Sequence, residues 1–171
     1  MLDNKRIKEA EDNVKMYFRE ELIKKQDFEE IVFNVLANNA HESLKLAESI
    51  KEQSDLWTIV VSYYSMFYIA NAVLYKLGFK IGEKIAHKVT ADALIVYVRK
   101  RLKDSLLQSY EEIREEALAG IKADKTIEYF DRERIKRNRI QYNTDQQEKH
   151  KKARTSLERA KEFMLEMEKL L

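Results

Sequence analysis

The chain has no cysteine and no proline, and its 171 residues include only three glycines, Gly78, Gly82 and Gly120. Average usage would put roughly twenty glycines and prolines together in a chain of this length. Without cysteine there is neither a disulfide framework nor a thiolate metal site, which fits a reducing compartment. With so few turn-forming residues, connections must be short and the regular structure nearly all helical. A dominant charge is lacking too: 32 Lys and Arg stand against 30 Asp and Glu, a formal net charge of +2. Nothing in that balance forces a nucleic-acid partner, so the local distribution of charge matters more. No His, Asp and Glu set has metal-ligand spacing, and no glycine loop is present to cradle phosphates. Neither a metal enzyme nor a P-loop hydrolase is expected, and no cofactor is implied.

The most conspicuous segment present is residues 56–75, LWTIVVSYYSMFYIANAVLY, uncharged in a chain where 36% of residues carry charge. As a helix it would be about 30 Å long, enough to cross a small domain or a bilayer. Its polar tips argue against the bilayer. Tyr63, Tyr64 and Tyr68 cluster mid-span, whereas membrane helices place aromatic belts at the two interfaces. A helix apolar nearly all round is otherwise the central member of a bundle. The start of the chain, MLDNKRIKEAEDN, is too charged for a signal peptide. The expected setting is cytoplasmic, with no membrane partner.

Periodicity organises the rest. A first helix is expected over 4–24, the most polar of the long ones, as an N-terminal extension of about residues 1–26 lying on the bundle as an arm. Asp27 with Glu30 forms a capping-box pattern for a second helix to about residue 53, with Ile31, Val35, Ala40, Leu44, Ala47 and Ile50 on its apolar face. Ser54 or Asp55 caps the central helix, and Gly78 is its expected left-handed terminus. Residues 78–84 read as a loop. Further helices are expected over 86–102, over 105–118 with a stop at Gly120, and from 124 or 125 through 141. A last one is opened by the Asp145–Glu148 capping box. Its inner face is Ala153, Leu157, Ala160, Met164 and Met167, with Phe163 alongside. The fold class is all-α: one domain of residues 1–171, an up-and-down bundle of five to seven helices, with 27–171 as its body.

Three segments in order carry a family resemblance. Residues 57–78, WTIVVSYYSMFYIANAVLYKLG, are similar to a pattern of Tyr-Tyr-Ala-Met-Phe, alanines and a Leu-rich end before glycine. His87 follows that glycine and opens the next helix. Arg137-Asn138-Arg139-Ile140-Gln141-Tyr142 matches an Arg-Asn block before the last helix. Together they resemble the HEPN superfamily, especially its small stand-alone members, over about residues 30–170. The resemblance implies a HEPN-like bundle, usually a homodimer. Many members are metal-independent ribonucleases, toxins of toxin–antitoxin pairs or defence effectors. Their functional motif is an arginine, four to six residues, then histidine, with two copies facing one cleft. Arg137 and Asn138 match the motif; Tyr142 stands where the nuclease has histidine.

That difference has a chemical consequence. Histidine titrates near neutrality, whereas a phenol with a pKa near 10 is a poor base at pH 7, so Tyr142 should cost much of any nuclease rate. It could still donate a hydrogen bond to phosphate or stack on a base. By resemblance it is also a candidate acceptor for a partner nucleotidyltransferase antitoxin. At about 100° per residue, Asn138 and Tyr142 share a face while Arg137 lies about 140° from Tyr142. Arg132, Arg134, Lys136 and Arg139 supply a basic run, read either as a solvated helix face or as a phosphate-binding patch. His87 is either an accessory group of the site or a histidine satisfied at a helix start. His41 and His150 are expected in solvent. The expected ligand is RNA or a nucleotide.

Overall fold

Six α-helices carry most of the computed structural model, which describes residues 2–130 and 142–171. They are α1 (Asn4–Arg19), α2 (Glu30–Ile50), α3 (Asp55–Lys76), α4 (Ala86–Tyr97), α5 (Asp104–Phe130) and α6 (Tyr142–Glu168). Two short strands, β1 (Ile23–Lys25) and β2 (Phe79–Ile81), pair antiparallel. The chain is an all-α bundle.

The uncharged helix α3 is its axis. Ser54 caps it, its Oγ accepting from the Trp57 N–H, and Gly78 follows it at φ +88°. Val60, Tyr63, Met66, Ile69, Ala70, Val73 and Leu74 are all buried, with α2, α5 and α6 packed around them. By length and composition α3 would pass for a membrane span, but most of it is covered by protein. The expected inner face of α6 is observed: Ala153, Leu157, Ala160, Phe163, Met164 and Met167 are buried.

Several expectations change. Helix α2 begins at Glu30, with Glu29 at the cap and no capping bond from Asp27. Its buried positions are Ala40 and Ala47, flanked by partly buried Phe33, Leu36 and Leu44. Ile31 and Val35 are 80% and 53% exposed. The small alanines let α2 lie close on α3 and choose the register, which turns the two larger residues outward.

Gly120 does not stop α5, which runs through it to Phe130. A Cβ there would stand 2.5 Å from Leu56 Cδ1, so the glycine serves close packing against α3. The fifth and sixth expected helices are continuous as far as Phe130. Asp145 lies inside α6 rather than capping it. Helix α4 stops at Tyr97 and gives way to a single 3-10 turn over Arg99–Arg101.

The N-terminal helix is part of the body. Ala10, Val14 and Tyr17 are buried in the same core as α3. Helix α1 ends at Arg19, where Glu21 takes a left-handed φ of +56° and the Leu22 N–H reaches the Tyr17 carbonyl. That turn delivers β1 to β2 in the register Ile23–Ile81, Lys24–Lys80 and Lys25–Phe79. Phe79 stacks on Tyr97 with ring centres 4.1 Å apart, and the Lys25 ammonium lies over the Phe79 ring, also 4.1 Å from its centre. The segment expected as a loop is therefore half of a strand pair.

Candidate functional site

Arg132, Arg134, Lys136, Arg137, Asn138 and Arg139 lie outside the described residues. Tyr142 is the first residue of α6, and its side chain is likewise outside the described set. Of the expected site, the described part contains His87.

His87 sits in the first turn of α4, after Ile85 has bent the backbone into the left-handed region at φ +46°. That bend brings the imidazole onto α3. Its Nδ1 is 2.8 Å from the Tyr63 hydroxyl. The rings of Phe67, Tyr63 and Tyr64 surround it, with centroids at 4.6, 5.4 and 5.8 Å. Residues 63 and 64 precede 67 by four and three positions, the spacings at which helical side chains meet. Tyr68 extends the aromatic edge, 5.8 Å from Phe67 and 6.1 Å from Tyr64. Behind Tyr63 lies Tyr110 of α5 at 5.8 Å, backed in turn by Phe163 of α6 at 5.4 Å. Arg114 follows Tyr110 by one turn on the same face of α5.

The electrostatics follow from this packing. Burial, and then the Arg114 charge, hold His87 below its ordinary value of 6.5, so the imidazole is neutral at pH 7. Burial pushes the Tyr63 phenol well up, against the opposing influence of the Tyr110 hydroxyl and Arg114. Burial likewise raises Tyr110. The Tyr110 oxygen is near enough to Tyr63 to affect its acidity, yet it is buried without a well-formed hydrogen bond. With Tyr63 donating to Nδ1, His87 carries its proton on Nε2 as a donor. The opposite tautomer would leave Nε2 as a base. A neutral histidine held by a phenol and walled by aromatic rings can stack on a base, hydrogen-bond an oxyanion or shuttle a proton.

Two other polar clusters were not expected. Asp92, a lone acid on the apolar helix α4, is fully buried. It accepts from Tyr17 at 2.8 Å and Asn13 at 3.0 Å, and Arg6 Nη2 lies 2.6 Å from its other oxygen. Arg6 also donates to Glu111 at 2.7 and 2.9 Å. This network clamps α1 to α4 and α5, a structural role. The second lies in an open hollow lined by Glu52, Gln53, Ser54, Asp55, Gln146, Gln147 and His150. His150 is not free in solvent: its Nδ1 is 2.8 Å from Asp55, and its Nε2 is 3.8 Å from Glu52. His41 remains half exposed, 3.3 Å from Glu168.

Arg114 was hidden in the sequence by its neighbours, the acidic run Glu111, Glu112, Glu115 and Glu116. The available signal was its spacing: it follows Tyr110 by four and Leu107 by seven, on the buried stripe of α5. Among the described residues no group of three His, Asp or Glu side chains is arranged to hold a metal ion. No family model matches the chain, and no curated protein or solved structure matches it either.

Proposed function

We propose that this bundle is a HEPN-like protein that binds RNA or a nucleotide in a cytoplasmic toxin–antitoxin or related defence setting, with nuclease activity weak or lost. Arg137 and Asn138 bind phosphate, assisted by the basic side chains of Arg132, Arg134, Lys136 and Arg139. Tyr142 replaces the motif histidine and removes the group best matched to proton transfer at neutral pH. The observation supporting the reading is the neutral His87 among the rings of Tyr63, Tyr64 and Phe67. Flat rings beside a hydrogen-bonding imidazole are the chemistry that unstacked bases require.

Fluorescence anisotropy with a labelled single-stranded oligoribonucleotide tests it, run in EDTA and repeated on a gel for cleavage. Binding that weakens as salt rises, falls in Arg137→Ala and leaves the RNA intact is the expected result. Unchanged binding and unchanged cell toxicity in Arg137→Ala would refute the site. Rapid cleavage in EDTA, abolished by Arg137→Ala or His87→Ala, would instead establish the active metal-independent ribonuclease.

A second reading, a non-catalytic module that partners a nucleotidyltransferase, draws support from α2. Phe28, Ile31 and Val35 lie exposed along its start, an apolar edge of the kind protein partners cover. Transfer of a labelled nucleotidyl group to Tyr142 by such an enzyme, lost in Tyr142→Phe, would favour it. Sedimentation equilibrium tests the homodimer that the resemblance implies.

A further inference from the structure

Arg114 is a largely buried cation without a close carboxylate partner among the described residues. Its side chain is 15% exposed, and its Nη1 is buried with no hydrogen bond. The carboxylate nearest to it in an ion pair is Glu115, 3.7 Å from Nη2 and 75% exposed, a contact of the kind worth little. Glu111, one turn earlier on α5, is already held by Arg6. A guanidinium has five N–H donors and no acceptor, and leaving such a group buried and unpaired costs free energy.

Its surroundings offer phenol hydroxyls and an imidazole, with no second carboxylate in an ion pair among the described residues. The Tyr110 hydroxyl, one turn away on the same face, is buried beside Tyr63 and makes no well-formed hydrogen bond. Tyr63 is satisfied by His87 at 2.8 Å, and when Tyr63 donates to Nδ1 the imidazole keeps its proton on Nε2 as a donor. The cluster meets solvent at His87 and Tyr64, both partly exposed. A guanidinium with an unused N–H and no close carboxylate, beside hydroxyl and imidazole groups that can donate, suits a tetrahedral oxyanion. Arginine is the residue whose planar fork recognises phosphate in pairs of bonds.

We propose that Arg114 is the seat of a phosphate group, which its guanidinium and the His87 imidazole hold between α5 and the start of α4. Tyr63 acts as a positioning residue that sets the imidazole. The aromatic edge of Tyr64, Phe67 and Tyr68 lies beside this seat, so the phosphate belongs to a nucleotide or to RNA. That choice of carrier rests on the function proposed above; the phosphate seat itself does not.

The test is NMR of the full-length chain, following the Arg114 side-chain Nε–H and the His87 ring. The titrants are inorganic phosphate, a 5′-mononucleotide, an oligoribonucleotide without terminal phosphates, and acetate as a control. Saturable shifts of both groups with phosphate but not acetate are expected. Arg114→Gln should weaken the response of His87 by about 10- to 100-fold, the size of a lost charged hydrogen bond. Arg114→Lys should recover it only in part. Tighter binding of the mononucleotide identifies a terminal phosphate; tighter binding of the oligonucleotide identifies an internal phosphodiester.

Should Arg114→Gln fail to fold, His87→Gln is the second variant, read at the Arg114 Nε–H and expected to weaken phosphate. No shift with any phosphate ligand, an equal response to acetate, or undiminished affinity in both variants overturns the seat. RNA binding that needs Arg137 while Arg114 stays unmoved overturns this inference and leaves the function standing. Phosphate held at Arg114 without RNA or nucleotide binding does the reverse.

Discussion

Asp92 concentrates more structural consequence than any other single side chain among the described residues. It is fully buried, and it is reached by Arg6, Asn13 and Tyr17 from one helix. The same carboxylate, with burial as the larger cause, holds the Tyr17 phenol well above its usual range. Arg6 loses some hydration, but its bonds to Glu111 and Asp92 outweigh that and raise its pKa. Replacing Asp92 by alanine strands three donors, so Asp92→Ala should lower stability by about 3–5 kcal/mol. Tyr17→Phe removes one hydrogen bond and should cost about 1 kcal/mol. Urea unfolding midpoints at constant slope measure both, and equal losses would contradict the network.

His87 makes a prediction of a different kind. Its folded-state pKa is depressed below 6.5, by burial first and Arg114 second. As pH falls, the unfolded chain therefore takes up this proton before the folded chain does. The contribution is fully present above about pH 6.5. It declines as pH drops through the window down to the lower folded value, where it levels off. His87→Gln should flatten that part of the stability profile between pH 7 and pH 5. A profile whose slope there is untouched by the substitution would mean that the imidazole is solvated as freely in the folded chain.

At the scale of elements, the ends and registers of the helices are what local signals can and cannot specify. The Ser54 cap and the Gly78 terminus were legible because each depends on a few adjacent residues. Gly78 holds φ +88°, and a would-be Cβ would meet the Gln26 carbonyl oxygen at 3.8 Å, an ordinary contact, so backbone strain is what opposes a side chain there. Gly78→Ala should destabilise by about 1–2 kcal/mol, measured by thermal or urea unfolding. A neutral result would mean the turn relaxes out of the left-handed region. Gly120 reads identically in one dimension, yet its cause is Leu56, 64 positions earlier in the chain. Helix α2 presented two usable apolar stripes, and the small residues Ala40 and Ala47 prevailed because they permit closer approach to α3. The three-residue strands carried no alternation long enough to read, since their pairing joins residues 23–25 to 79–81.

For the whole molecule, the N-terminal helix is the feature that sequence polarity most misrepresents. Its exposed side is strongly charged, but Ala10, Val14 and Tyr17 complete the common core, and Ile23 in β1 is buried as well. Deleting residues 1–27 should therefore abolish cooperative unfolding rather than trim an appendage. Circular dichroism melting checks this: an undiminished transition would make the segment a separable arm. Helix α3 illustrates the converse. Its length and hydropathy alone would pass for a membrane span, its mid-span tyrosines argue against one, and its neighbours in the bundle cover most of it.

Composition and periodicity alone established the helical class, the central place of α3 and the inner face of α6. These follow from turn-poor composition and from apolar spacing within single segments, both local properties. The partners of Asp92, the register of α2, the reason for Gly120 and the meeting of His87 with Tyr63 emerged only on folding. Each joins residues distant in the chain, and which apolar stripe or buried charge finds a partner depends on the volumes and donors that other helices bring to it. Arg114 belongs to that second group: in the chain it stands among glutamates, and in the bundle it is a largely buried positive charge whose nearest ion-pair partner is 3.7 Å away.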